Sequence, residues 1–134
     1  MRILLDTHML LWALFDSPRL SNQARFLIEK DENQIFYSAV AMWEIALKWD
    51  KHPDQLPYPP RELEEFCAEC GFYDLPLNEL HVFGLETLQR QADAPEHKDP
   101  FDRIMLSQAK VEDMLFLTHD RQFVYYDEPC VLLV

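Results

Sequence analysis

Five short apolar runs, "RILL", "QIFYSA", "FYDLPL", "MLFLTHD" and "CVLLV", are separated by stretches whose apolar residues recur on helical spacing. This alternation constrains the fold more than any other feature of the chain. Parallel strands need a long crossover between them, usually a helix. Strands covered on both faces read as unbroken apolar runs rather than as alternating ones. The pattern therefore predicts the α/β class, a three-layer α/β/α domain with a parallel sheet of about five strands.

The intervening helices carry local signals. "THMLLWALF" stops near Ser17-Pro18, and "SNQARFLIEKDE" has Ser21 as its N-cap. "VAMWEIALKWDK", "RELEEFCAEC" and "NELHVFGLETLQRQ", the last capped by Asn78, read as further helices. The segment from Pro53 to Pro60 holds four prolines and is expected to be an extended loop. "ADAPEH" is a polar loop, and "HKDPFDRIMLSQA" opens the last long helix. No internal repeat or low-complexity segment interrupts this order, and residues 1–134 are expected to form a single domain with a sizeable core.

Composition excludes several functions. The apolar run at the N-terminus is cut by Asp6 too early for a signal peptide, and no run approaches the ~18 residues of a membrane span. A cytoplasmic protein without membrane attachment is expected. Cys67 and Cys70 form a C-x-x-C at the end of a helix rather than at its start, and no second ligand pair accompanies them. Inert reduced thiols fit better than a redox or zinc site. Gly71 and Gly84 build neither a P-loop nor a dinucleotide fingerprint, and no serine sits in a G-x-S-x-G elbow. A net charge of −12 argues against a sequence-independent nucleic-acid coat and suggests a basic partner.

The acids then carry the argument. Asp6 and Asp120 stand directly after predicted strands, where open α/β sheets form their ligand crevice. Glu44 lies in the helix after "QIFYSA", and Asp102 in the first turn of the helix before "MLFL". Like charges in a shared site raise each other's pKa, and a hard divalent cation is the usual remedy. Mg²⁺ or Mn²⁺ suits oxygen donors and phosphate substrates, polarises a phosphoryl oxygen and lowers the pKa of water. Metal-dependent phosphodiester hydrolysis is the chemistry suggested.

Each acid also has a structural reading. Asp6 and Asp120 are candidate N-caps, and Glu44 with Lys48 is an i, i+4 pair. Asp99 is a good N-cap with Pro100 at N1, and Asp102 at N3 completes a capping-box-like pattern.

The segments "LLDTHMLLWAL", "SAVAMWEIALK", "HKDPFDRIMLSQA" and "LTHDRQF", in that order, resemble PIN domains, specifically VapC-like toxin ribonucleases of bacterial toxin–antitoxin pairs. The resemblance covers nearly the whole chain. It implies a Mg²⁺- or Mn²⁺-dependent endoribonuclease whose catalytic, metal-binding quartet is Asp6, Glu44, Asp102 and Asp120. It also implies a supporting hydroxyl at Thr118, with Thr7 and Asp99 as further supporting residues. Lys48, Lys98, Arg103 and Arg121 are candidate phosphate contacts, with surface ion pairs as the alternative.

The chain departs from the family at Ala41, where a small hydroxyl residue is common, and at His119, where arginine is common. His8 and His119 read as neighbours of site acids rather than as ligands. The partners implied are RNA, a second copy of the chain and a small antitoxin with a basic segment. Trp12, Phe15 and Trp49 are candidates to line a groove for the antitoxin's helix, or are core. The rival from another class is a non-catalytic PIN-like binding module whose acids are structural. A phosphorylated receiver domain matches less well, because His8 and Met9 follow Asp6-Thr7 where paired acids would be needed.

Overall fold

A computed structural model describes residues 1–134. The chain runs β1 (Arg2–Leu5), α1 (Thr7–Leu14), α2 (Asn22–Glu29), β2 (Gln34–Ser38), α3 (Ala39–Lys51), α4 (Pro60–Glu69), β3 (Tyr73–Leu75), α5 (Glu79–Gly84), α6 (Pro100–Val111), β4 (Leu115–Thr118) and β5 (Val131–Leu133). The five strands pair in the order β3-β2-β1-β4-β5, all parallel. Helices flank this sheet, giving the α/β/α architecture that the alternation predicts. No helix is long and apolar enough to cross a membrane.

The core forms where apolar strands meet apolar helix faces. Ile3, Leu4 and Leu5 of β1 are fully buried, as are Phe116 and Leu117 of β4. Met9 and Leu10 of α1, Ile45 of α3, Leu63 of α4 and Met105 and Leu106 of α6 close over them. β1 is central and pairs on both sides, Leu4 with Phe36 of β2 and Leu5 with Leu117 of β4. The strand order reverses between β1 and β4, because β2 and β3 add to one side and β4 and β5 to the other. That reversal opens a crevice at the carboxyl ends of the two strands.

Helix starts follow the sequence signals. Ser21 accepts from the Ala24 amide at 3.1 Å. Asn78 and His81 make a reciprocal capping box at α5. All three cysteines are unpaired. Cys67 is buried, and burial pushes its thiol up to about 12, the opposite of an activated nucleophile.

Two expectations are corrected. The proline segment is not extended throughout: Pro53–Gln55 forms a 3-10 turn, and Pro60 already sits in the first turn of α4, where a missing amide hydrogen costs nothing. The helix read over "NELHVFGLETLQRQ" ends at Gly84 and passes into a 3-10 turn, Leu85–Thr87. The Thr87 hydroxyl donates to the Gly84 carbonyl at 2.7 Å. Beyond it, the backbone is drawn off to the segment before β5. Gln89 donates to the Glu128 carboxylate at 2.6 Å and accepts from the Asp127 amide at 2.8 Å. Arg90 then bridges antiparallel to Tyr126.

Gly84 also lies against α6, where an added Cβ would meet the Ser107 hydroxyl and come within 2.8 Å of Val111 Cγ2. Helix propensity favours alanine over glycine by about 0.5–1 kcal/mol, but here the overpacking term has the opposite sign. Gly84→Ala is expected to destabilise the chain by about 1–3 kcal/mol in urea unfolding, and adding Val111→Ala to recover part of that loss.

Candidate active site

Asp6 is the residue immediately after β1. Its amide donates to the Leu117 carbonyl at 3.1 Å, extending the β1–β4 pairing past the last strand residue. Its side chain is nearly sealed, at 4% exposure, and both oxygens are engaged. Oδ1 caps α1 by accepting from the Met9 amide at 2.7 Å, and Oδ2 accepts a short hydrogen bond from the Thr118 hydroxyl. Burial raises its pKa, and the bonds from Thr118 and Met9 oppose that shift.

Thr118 ends β4, and the same hydroxyl that donates to Asp6 accepts from the Asp120 amide at 3.1 Å. Asp120 in turn caps the 3-10 turn Arg121–Tyr125 by accepting from the Gln122 amide at 2.9 Å. Glu44 reaches the crevice from the second turn of α3. The Thr7 hydroxyl, on the first residue of α1, donates to its Oε1 at 2.6 Å. Thr7 is buried, so this bond fixes α3 against α1 at the mouth of the sheet.

Asp99 caps α6, with Oδ1 accepting from the Phe101 and Asp102 amides at 2.9 and 3.2 Å. Asp102, one turn in, meets His97 Nε2 at 3.1 Å, and His97 Nδ1 meets the Tyr126 hydroxyl at 2.8 Å. Burial lowers the His97 pKa and raises that of Tyr126, so the imidazole is neutral and the phenol keeps its proton at neutral pH. A neutral imidazole thus joins Tyr126 and Asp102, one ring nitrogen to each. Arg90 lies over the Tyr126 ring, 4.9 Å from its centroid, and buries guanidinium nitrogens there without a hydrogen-bond partner.

The four acids do converge. Asp102 is pushed up to about 8, first by burial and then by the charges of Asp99, Asp120, Asp6 and Glu44. Neither His97 nor Tyr126 supplies a positive charge to offset them. No three His, Cys, Asp or Glu side chains close tightly enough to form a preassembled shell for an ion.

Among the candidate cations, Lys48, Lys98 and Arg121 are exposed, and none of them or Arg103 takes part in an ion pair. The Glu44–Lys48 helix pair is thus absent, and Glu44 spends its hydrogen bond on Thr7. Arg103 is half-buried beside Tyr126. A larger hollow of about 670 Å³ lies at the opposite end of the sheet, against the amino ends of β2 and β3. Its cations Arg25 and Lys30 are already paired with Asp16, Glu29 and Glu32.

A parallel five-stranded sheet whose reversal point gathers acids from four separate segments defines a class of α/β domains with an acidic crevice. The chain belongs to the PIN-domain family, whose profile matches residues 3–129. Among solved structures it is similar to a chain of the VapBC2 complex of Rickettsia felis bound to a DNA fragment from its promoter. The TM-score is 0.67 at 17% identity, covering 100% of this chain and 98% of that one. It is also similar to a chain of a toxin–antitoxin complex from Klebsiella pneumoniae, with a TM-score of 0.59 at 21% identity, covering 97% and 95%. No curated protein matches its sequence.

The His97–Tyr126 support had only a weak trace in the sequence. His97 is five residues before Asp102, but Tyr126 lies 29 residues beyond His97 and comes near it through tertiary packing, with Phe123 against both rings.

The raised Asp102 pKa has a definite sign. Its folded value near 8 lies above the ordinary 3.8, so the fold holds that proton more tightly than the unfolded chain. Stability is therefore lost as pH rises from about 4 to about 8. In chelator, Asp102→Asn is expected to melt with wild type near pH 4 and several degrees above it at pH 8, at about 4 °C per kcal/mol for a chain of this size. Thermal melts across that range check it.

Proposed function

We propose that the chain is a divalent-metal-dependent endoribonuclease acting as the toxin of a toxin–antitoxin pair. The observation that carries this reading is Asp102, one turn into α6, whose carboxyl is raised by burial and by the four other acids around it. A structural cap has no need of such company.

The donor set suits a hard cation, since it is all carboxylate and hydroxyl oxygen. Mg²⁺ keeps several waters and often takes only one or two carboxylates directly, so the acids need not form a closed shell. In this reading Asp6, Glu44, Asp102 and Asp120 hold the ion or ions, Mg²⁺ or Mn²⁺. The bound ion would polarise a phosphoryl oxygen and make a water more acidic.

The chain's own residues set the frame for that chemistry. Thr118 locks Asp6 and positions the start of the Asp120 turn, while Thr7 turns Glu44 inward. His97 engages one oxygen of Asp102, so Asp102 would act as a ligand without rotating freely. Asp99 supports it by starting the helix. Unpaired Lys48, Lys98 and Arg121 supply positive charge for RNA phosphates, and Arg103 adds to the field from beside Tyr126.

The partner reading draws on the two similar structures, one of VapBC2 and one of a toxin–antitoxin complex. A small antitoxin presenting a basic segment suits a chain of charge −12, because opposite charge speeds encounter. Homodimerisation in the cytoplasm completes the proposal.

Purified protein is expected to cleave RNA with Mg²⁺ or Mn²⁺ and not in chelator, and Asp6→Asn or Asp102→Asn to abolish cleavage. Equal cleavage by wild type and both variants would assign the activity to a contaminant.

Binding is checked without turnover. Mn²⁺ at a hundredfold excess over its Kd stabilises by about 2.7 kcal/mol, so the melting temperature should climb with Mn²⁺ in wild type and stay flat in Glu44→Gln. His97→Ala should need about 10-fold more Mn²⁺ for the same rise. No shift in wild type at any concentration would favour the non-catalytic binding module.

A further inference from the structure

A hollow of about 170 Å³ opens beside the acids, lined by Asp6, His8, Trp12, His119 and Asp120. It is well below the ~300 Å³ at which pockets for drug-sized ligands begin, and it has room for one flat ring system. His8 and Trp12 are one helical turn apart on α1, with ring centroids 6.1 Å apart. His119, two residues before Arg121, meets the Trp12 ring edge-on at 5.6 Å and 65°. The His119 ring is itself held, because Nδ1 donates to the Val134 carbonyl. The lining is thus three rings and two of the acids.

We infer that this hollow receives a nucleobase of the RNA strand, stacked on Trp12 and flanked by His8 and His119. The inference rests on the nuclease reading, because Asp6 and Asp120 belong both to the hollow and to the quartet. Three of the five lining residues are rings rather than cations, so the hollow itself offers a phosphate no positive side chain beyond what the histidines can supply. A base suits it, because it is flat and uncharged, and every base offers a face for stacking regardless of sequence. Its own phosphate would then lie over the acids, one nucleotide's reach away. The pocket therefore sets which nucleotide is presented for cleavage, and it selects for an unpaired base over one held in a helix.

The experiment compares adenosine and uridine 5′-monophosphates with ribose 5-phosphate, each titrated into the full chain in Mn²⁺. The base should improve affinity about 10-fold in wild type. Trp12→Leu, which keeps apolar bulk but removes the ring, should bring the nucleotides down to the level of ribose 5-phosphate. His119→Ala, at an exposed wall, should lower the same difference if the Trp12 variant folds poorly.

Equal binding of all three compounds by wild type overturns the pocket, as does a base contribution that survives in both variants. If Trp12→Leu keeps the base contribution but no longer copurifies with a co-expressed antitoxin, the wall belongs to protein docking and the inference falls. The parent reading is judged separately. Metal-dependent RNA cleavage without base-dependent binding leaves the nuclease standing and removes the pocket; base-dependent binding without cleavage does the reverse.

Discussion

The hydroxyl of Thr118 is the point on which the site depends. It donates to Asp6 and accepts from the backbone of Asp120, so one small side chain joins the ends of β1 and β4 and sets the exit path of both loops. Without it, two carboxylates would meet across a parallel pair with nothing between them but repulsion. With it, each Asp6 oxygen accepts one hydrogen bond and keeps a lone pair, and the start of α1 is fixed by the same carboxylate. Thr7 then falls at the first position of that helix, which is why its hydroxyl can reach Glu44. The geometry of three acids follows from two strand ends.

Asp102 comes by a different route. It is carried by α6 rather than by a strand end, and its orientation comes from His97 and Tyr126, which are neutral. A neutral partner orients a carboxylate without neutralising it. The charge of the cluster is therefore left uncompensated by design of the contacts, and Asp102 holds its proton to about 8. Had an arginine stood in place of His97, the pKa would fall and the affinity for a cation with it.

Much of this was legible from the chain, for physical reasons that differ by feature. Doubly buried strands must be apolar throughout, so "RILL" and "MLFL" announce themselves, and Ser21, Asn78 and Asp99 mark helix starts because orphan amides need acceptors. The acids were legible as residues, since carboxylates placed at strand ends have few apolar neighbours to satisfy. Strand order was not readable from composition, because any parallel order would bury the same runs. The early end of α5 was also hidden: "GLETLQRQ" has good helical spacing, but Thr87 caps back on the Gly84 carbonyl and the Gln89 backbone pairs with Asp127 and Glu128 instead of continuing the helix. Arg90 lies over Tyr126 beyond that turn, and the support of Asp102 comes from a tertiary contact with no local signal.

Three acids of this region, Asp6, Asp99 and Asp120, are helix or turn caps as well as charges. A cap needs only an acceptor oxygen, which an amide side chain supplies as well as a carboxylate does. At Asp99 and Asp120, which cap with a single oxygen, the scaffold is therefore blind to the difference between aspartate and asparagine, while a cation is not. At Asp6 both oxygens accept, and asparagine would also disturb the bond from Thr118. A single atom, one oxygen exchanged for nitrogen, is enough to separate folding from chemistry at Asp99 and Asp120. Alanine at the same positions would remove both at once and report on neither.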